Sequence, residues 1–193
     1  MLGRITKEER TMHILIAYST TEGQSVKIAQ FTADRLARKG HETTVLNLGE
    51  TRNIPDLTAV QSVILVGSVH ERRHSPALET FMQARRAWLS LRPVMLISVS
   101  LSAAFKHGRE EAEEYVIETQ MRTGFTPDEV VLAEGAVKPN SYDYFAKSVV
   151  RFVVLNDREF EMGTNDHEFT DWEVLTDRLE GFAATSLGRT AHA

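Results

Sequence analysis

The stretch ILIAYSTTEGQSVKIAQFTADRL, residues 14–36, changes its hydrophobic pattern in the middle. It begins with a short apolar run, passes through small and hydroxylated residues at 19–25, and then places apolar residues at helical spacing. A strand that runs through a short turn into a helix is typical of the first βα unit of an α/β domain. The turn carries more hydroxyl groups than a plain connection requires.

The same alternation continues along the chain. Strands are predicted at 13–18, 42–48, 62–66, 93–98 and 129–133, and helices at 24–39, 75–89, 109–123 and from 170 to about 184. Thr170-Asp171-Trp172-Glu173 has the form of a capping box for the last helix. The pattern predicts an α/β fold with a doubly wound five-stranded parallel sheet, order 2-1-3-4-5, and helices on both faces.

The predicted organisation is a single domain over residues 12–187. Residues 1–11 show no strand or helix pattern and are predicted to be a disordered extension, and 188–193 a frayed tail. A long insertion, about 138–169, separates the fifth strand from the last helix. Connections of that length tend to be functional.

The amino-acid composition disfavours or excludes several classes of function. The 193-residue chain has a net charge of −5, which disfavours a nucleic-acid partner. It has no cysteine, so disulfides, thiolate catalysis and cysteine-ligated metal sites are excluded, and no other metal site is predicted. Without a recognisable secretory signal or a long apolar run, a cytoplasmic location is expected.

The hydroxyl-rich turn is predicted to bind a phosphate. It lies where the first strand meets the first helix, and helix N-termini bind anions through free backbone N–H groups. The residues expected to form the cradle are Ser19, Thr20, Thr21, Gly23, Gln24 and Ser25. The turn lacks the Gly-Lys-Ser/Thr ending of a Walker loop and the three glycines of a dinucleotide fingerprint. The alternative is an ordinary βα loop in which Thr20 or Thr21 caps the helix.

Small and apolar residues follow the other central strands. They are Gly67, Ser68, Val69 and His70 after the third strand, Ser98, Val99, Ser100 and Leu101 after the fourth, and 135–137 after the fifth. Ligands of doubly wound sheets bind at these strand ends. A flat ring could lie across them, with backbone groups bonding the pyrimidine edge of a flavin.

The sequence resembles flavodoxin-like proteins, and within them the family of menaquinone-dependent protoporphyrinogen IX dehydrogenases. The stretches that carry the resemblance are ILIAYSTTEGQSVKIA, VILVGSVHERRHSPALETF, ISVSL, EGAVKP and FTDWEVL. It covers roughly residues 12–184, and the insertion stands at the same point as in that family. The insertion departs from the family in having few positive charges.

The resemblance implies FMN as a non-covalent cofactor and oxidation of protoporphyrinogen IX to protoporphyrin IX, with a membrane quinone as electron acceptor. Residues 19–25 would hold the FMN phosphate, and residues 67–70 and 98–101 would line the ring. A peripheral site on the inner face of the cell membrane and a homo-oligomer are compatible with it. The alternatives are a flavodoxin-like electron carrier or quinone reductase of undetermined partner, and a binding domain that has lost its cofactor.

Three groups of residues are candidates for substrate contact. His70, Arg72 and Arg73, with His74, form a basic cluster that could attract substrate carboxylates or stabilise a reduced flavin, or could be a solvated loop. For Lys106, His107 and Arg109 the solvated loop is favoured. Tyr142, Tyr144 and Phe145 could cover a porphyrin or hold the insertion down. No acid or base of distinctive spacing is predicted, because the flavin would carry the chemistry.

Overall fold

The computed structural model describes residues 11–21, 23–51, 54–137 and 166–190. Several predictions from the sequence lie outside this range. They concern residues 1–10, Glu22, most of the insertion (138–165, with Tyr142, Tyr144 and Phe145) and the last three residues.

The centre of the molecule is a parallel sheet of five strands. They are β1 (His13–Ser19), β2 (Glu42–Asn47), β3 (Ser62–His70), β5 (Val94–Ser100) and β6 (Glu129–Glu134). The strand order is β2-β1-β3-β5-β6, and all four neighbouring pairs run parallel. Counting only these five strands, the order is 2-1-3-4-5, which confirms the predicted fold.

Helices cover both faces of the sheet and bury two apolar clusters. On one face α1 (Gln24–Arg38) and α5 (Trp172–Thr190) pack on alternate strand residues such as Ile14, Ile64 and Ile97. On the other face α2 (Pro76–Ala84), α3 (Arg86–Leu89) and α4 (Arg109–Thr123) pack on the intervening residues, among them Leu15, Leu65 and Leu96. Strand side chains alternate between the faces, so each position is committed to one helical layer.

Short elements at the carboxyl edge of the sheet were not predicted from the sequence. β4 (Arg73–His74) pairs antiparallel with the end of β3 and forms a hairpin. β7 (Ala136–Val137) pairs antiparallel with β8 (His167–Glu168), on either side of the insertion. Two 3₁₀ turns, Ser102–Ala104 and Lys106–Gly108, connect β5 to α4. Two-residue strands leave too few alternating positions to show in a hydrophobic pattern.

Three helix predictions need correction. The helix expected over 75–89 is interrupted at Arg85, whose φ of −106° and ψ of 11° lie outside the helical region. The chain continues as the short helix α3, whose last residue, Leu89, is fully buried. The capping box is wrong, because Asp171 Oδ1 accepts from the N–H groups of Glu173 and Val174 at 3.1 and 3.0 Å and is itself the cap. The last helix continues to Thr190 and so includes 188–190 of the predicted tail.

None of the described helices has the length and apolar character needed to cross a membrane.

Candidate functional site

The loops predicted to bind the cofactor meet at one edge of the sheet. Ser19 at the end of β1 lies beside Gly67 of β3, and Gly67 lies beside Ser98 of β5. Parallel pairing places all three positions at the carboxyl edge, next to the N-terminus of α1. The sequence therefore brings the predicted residues together as expected, although their contact with a cofactor stays a prediction.

The turn before α1 leaves its helix N-terminus open. Gly23 has a φ of 87°, a left-handed conformation that favours glycine, and its N–H donates to Thr20 Oγ1 at 2.9 Å. Among the described residues, no side chain caps the first turn of α1 with a hydrogen bond. Since Thr20 bonds to the residue before the helix, the interpretation of the turn as an ordinary helix cap is disfavoured. The backbone N–H groups of the first turn remain available to an anion.

Two buried hydroxyls beside this helix terminus have no hydrogen-bond partner. Ser25, in the first turn of α1, is fully buried, and the hydroxyl oxygens of Ser25 and Ser68 are both unpaired. Val66 faces the α1 layer, and alternation along β3 therefore places Ser68 on the same face. Buried polar groups without a partner are rare in folded proteins. These donors fit a phosphate or other polar group bound beside α1.

Other side chains of the turn are used within the protein. Ser19 is buried and its hydroxyl accepts from Ser75 Oγ at 2.7 Å, while Thr21 is exposed. The side-chain amide of Gln24 donates to Glu168 and Thr170. That this whole set surrounds a phosphate stays a prediction, and Ser19 and Gln24 could contribute to it only through their backbone groups, since their side chains are already bonded.

The side chains at the end of β5 also face inward. Ser98 is fully buried and bonds to His74, and Val99 belongs to the apolar cluster under α1 and α5. Ser100 Oγ accepts from Ala103 N at 3.2 Å. Leu101 is half-buried. Only backbone groups and Leu101 could therefore meet a ring at this strand end.

The basic cluster after β3 forms a strained hairpin. Glu71 and Arg72 join β3 to β4 with φ values of 48° and 64°, as a type I′ turn requires, although neither is glycine or asparagine. Arg72 holds the turn against α4 through ion pairs with Glu111, at 2.5 Å, and Glu114, at 3.4 Å. Its guanidinium also lies 5.2 Å from the centre of the Tyr115 ring.

A second set of ion pairs occupies Arg73. Arg73 and Arg122 both bond the carboxylate of Glu79, at 2.5 and 2.9 Å, and the Glu79 side chain is only 5% exposed. Burial would raise the pKa of Glu79, but the two arginines outweigh it and hold the pKa below its usual value. Arg72 and Arg73 are thus engaged with acids of the protein, and they offer little free charge to a substrate.

His74 belongs to the core and not to the basic cluster in which the sequence placed it. Its Nδ1 lies 2.8 Å from Thr119 Oγ1 and its Nε2 3.1 Å from Ser98 Oγ. Both ring nitrogens of His74 are therefore bonded within the protein, and Arg122 also donates to Thr119 Oγ1, at 3.1 Å. Burial lowers the pKa of His74 to about 4, with Glu79 opposing the shift and Arg122 adding to it. The ring is neutral near pH 7.

The packing around Gly67 explains why this position carries no side chain. A Cβ atom there would lie 2.4 Å from Leu78 Cδ2 and 3.0 Å from His74 Cδ2. The sequence pattern could not predict this crowding, because the atoms that cause it belong to α2 and β4. Unlike the hairpin cations, Lys106 and Arg109 are exposed, and neither is paired with a carboxylate among the described residues.

A groove of about 570 Å³ lies along β6 between α4 and α5, and Arg109 is among the residues that line it. Arg178 and Thr170 donate to the outward carbonyls of Val130 and Glu134 and so cover part of this sheet edge. Because the groove does not reach the turn before α1, it is not the predicted cofactor site. Within the described ranges no group of histidines and acids could hold a metal ion.

The chain was compared with known proteins. It is 23% identical over 165 residues to a protoporphyrinogen IX dehydrogenase (quinone) of Escherichia coli strain K12, covering 85% of this chain and 91% of that protein. A protein of the same name from Leishmania major is 23% identical, covering 90% of this chain and 75% of its own length. A short-chain flavodoxin associated with a PDU bacterial microcompartment superposes with a TM-score of 0.55 at 12% identity, covering 91% of this chain and 99% of that one.

The flavodoxin domain family matches residues 15–162, which is more than half of the chain. The match begins within β1 and includes every loop of the candidate site. Flavodoxin domains bind FMN, so the family confirms the cofactor that the sequence resemblance implied. The chain belongs to the flavodoxin family.

Proposed function

We propose that this flavodoxin-family protein is an FMN-dependent oxidoreductase that oxidises protoporphyrinogen IX to protoporphyrin IX with a quinone as electron acceptor. The observation that carries the proposal is the extent of its similarity to two relatives named for this activity. The alignments cover 85% and 90% of the chain, and the flavodoxin-domain match over residues 15–162 contains the proposed FMN loops.

The residues at the carboxyl edge fit the phosphate of FMN. Ser25 and Ser68 would donate their unpaired hydroxyls to it, together with the open N–H groups at the start of α1. Hydrogen bonds from a helix N-terminus and hydroxyls can hold a phosphate without a cation. Ser68, which the sequence analysis assigned to the ring, is thereby proposed for the phosphate side because it shares the α1 face.

The ring system would lie over residues 67–70 and 98–101. Since Ser98, Val99 and Ser100 turn inward, the chain would present backbone N–H and C=O groups and the half-buried Leu101 to it. FMN, when bound, would accept an electron pair from the substrate and pass it to a quinone, three times for each porphyrin formed. The protein's own part is to bind and orient both molecules and to exclude water.

Recognition of the substrate carboxylates is proposed for Lys106 and Arg109. Both lie at the carboxyl edge, after β5, and neither is paired with an acid. Arg72 and Arg73, tentatively assigned to this role from the sequence, already bind Glu111 and Glu79. A free cation can pair with a propionate without first breaking an internal ion pair.

Purified protein tests the proposal directly. It should carry FMN, seen in its visible absorbance and released on denaturation. Mixed anaerobically with protoporphyrinogen IX and a menaquinone analogue, it should produce porphyrin fluorescence faster than a protein-free control, with quinone consumed in step. Fluorescence that rises no faster than in the control would contradict the proposal.

Omitting the quinone separates the main alternatives. A dehydrogenase should stop after the bound flavin is reduced and resume when quinone is added. A protein that exchanges electrons with quinones or redox proteins but does not oxidise protoporphyrinogen would be an electron carrier or a quinone reductase.

Because natural quinones are membrane-bound, we infer that the protein meets its acceptor at a membrane surface. Activity with quinone in vesicles checks this inference.

A further inference from the structure

Gln24 lies within the predicted phosphate turn, but its side chain reaches a different part of the molecule. It is the first residue of α1 and is only 6% exposed. Its Nε2 donates to Glu168 Oε1 at 2.9 Å and to Thr170 Oγ1 at 2.8 Å. Glu168 and Thr170 belong to residues 166–171, here called the return segment, which leads into α5.

The chemistry of the partners fixes the orientation of this amide. An ionised carboxylate can only accept hydrogen bonds, so the atom of Gln24 facing Glu168 must be the nitrogen. Thr170 Oγ1 donates its own hydrogen to Glu134 O at 2.7 Å and is therefore an acceptor for Gln24. Phe169 N donates to Gly135 O at 3.1 Å. The return segment is thus bonded to the end of β6 on one side and to the start of α1 on the other.

The carboxylate of Glu168 stays ionised in this position. Burial would raise its pKa, but hydrogen bonds from Lys27 and Gln24 outweigh that effect and hold the pKa below its usual value. Lys27 lies in the same turn of α1 and forms an ion pair with Glu168. Lys27 therefore balances the negative charge of Glu168, so this charge does not prevent the open helix terminus from binding an anion.

From this geometry we propose that Gln24 is a positioning residue for the FMN phosphate: it anchors the first turn of α1 to the return segment and does not contact the phosphate through its side chain. The anchored turn holds the Ser25 hydroxyl and the free N–H groups in one orientation before FMN arrives. Preorganised donors bind more tightly because less ordering remains to be done. The inference rests on the FMN site described above.

The test compares FMN with riboflavin, which has the same ring and ribityl chain but no phosphate. Flavin-free full-length protein is titrated with each, following the quenching of flavin fluorescence. In Gln24→Met, which keeps the length of the side chain but has no donor, the dissociation constant for FMN should rise by about fivefold to tenfold. That for riboflavin should change by less than about twofold, because riboflavin does not use the anchored turn.

The matched control is a contact between the far end of α1 and the middle of α5. Arg35 donates to Glu180 Oε1 at 2.8 Å, and Lys39 pairs with Glu180 at 2.9 Å. Glu180→Gln weakens these contacts of α1 with α5 far from the phosphate turn. It should leave the ratio of the FMN and riboflavin constants unchanged.

Thr170→Val provides a second route to the same contact should Gln24→Met fold poorly. It removes one of the two acceptors of the Gln24 amide and leaves Glu168, so it should lower FMN affinity in the same selective way but by a smaller factor than Gln24→Met. In the double variant the loss should be smaller than the product of the two single losses, because the two changes share the contact between Gln24 and Thr170. A loss shared equally by FMN and riboflavin, or no loss with either, would overturn the positioning role. The test uses no porphyrin, so failure of the proposed oxidation is a separate result.

Discussion

The turn before α1 and the hairpin after β3 are neighbours at the same sheet edge, and they differ in what remains unpaired. The turn has no lysine or arginine, yet among the described residues the Ser25 hydroxyl has no hydrogen-bond partner and no side chain caps the first N–H groups of α1. The hairpin is rich in cations, yet Arg72 and Arg73 are bonded to Glu111 and Glu79. The comparison shows that availability of a polar group, and not charge in the sequence, indicates a binding site.

The two regions should therefore respond differently to mutation. Changes in the hairpin and its supports should mainly alter the free energy of unfolding. Changes in the turn should mainly alter the affinity for FMN.

The largest expected effect is a pH dependence that comes from His74. Its pKa is about 4 in the folded protein against 6.5 in the unfolded chain, so between these values the unfolded chain binds more protons. Folding stability should fall as pH drops from 6.5 towards 4, by about 3 kcal/mol in all from this residue. In His74→Gln this part of the dependence should disappear, as measured by urea denaturation across the range. If the free energy of unfolding changed as much between pH 6.5 and pH 4 in His74→Gln as in the original protein, the buried neutral state of His74 would be contradicted.

Removal of the carboxylate of Glu79 should have the next largest effect. Glu79→Ala leaves Arg73 and Arg122 without their shared partner and should lower the free energy of unfolding by about 2 kcal/mol. FMN affinity of the folded protein should stay within about twofold. The control is Glu118→Ala, which removes only an exposed pair with Arg122 and should cost less than about 0.5 kcal/mol. A large loss of FMN affinity in Glu79→Ala would break the distinction between the two regions.

Ser25→Ala tests the turn. A hydrogen bond to a charged group contributes about 1.5–3 kcal/mol, so FMN affinity should fall by about tenfold or more. Ligand-free stability should not fall, since the hydroxyl has no partner to lose. Thr32→Val is the matched control, because Thr32 is also on α1 and its buried hydroxyl is also unpaired. It should leave FMN affinity unchanged. Equal losses of FMN affinity in Ser25→Ala and Thr32→Val would contradict the assignment of Ser25 to the phosphate.

The smallest effect concerns the strain of the hairpin. Glu71 has a φ of 48°, and its side chain is largely exposed. Asparagine tolerates this conformation better, so Glu71→Asn should raise the free energy of unfolding by about 0.5–1 kcal/mol. Thermal unfolding of the two proteins measures it. A lower melting temperature would indicate that the Glu71 side chain contributes more than the turn geometry costs.

The sequence correctly predicted that the candidate loops meet at one edge of the sheet, but it did not predict which of their side chains are bonded within the protein. The hydroxyl-rich turn and the strand ends are local features, and the parallel topology follows from the order of elements. His74 was grouped with its basic neighbours because nothing in the sequence shows that Thr119 and Ser98 surround it. Gln24 was assigned to a phosphate because its partners, Glu168 and Thr170, are more than a hundred residues away.

By itself the sequence determined the five-stranded sheet, its order and the position of the hydroxyl-rich turn proposed to bind an anion, because hydrophobic period, turn residues and helix ends are encoded over a few neighbouring positions. Only the tertiary structure decided which polar groups in that region are already paired. Pairing depends on side chains that come from distant elements, as with Arg73, Glu79 and Arg122. A charge or hydroxyl in the sequence states what a residue can do, and its neighbours in space decide whether it is free to do so.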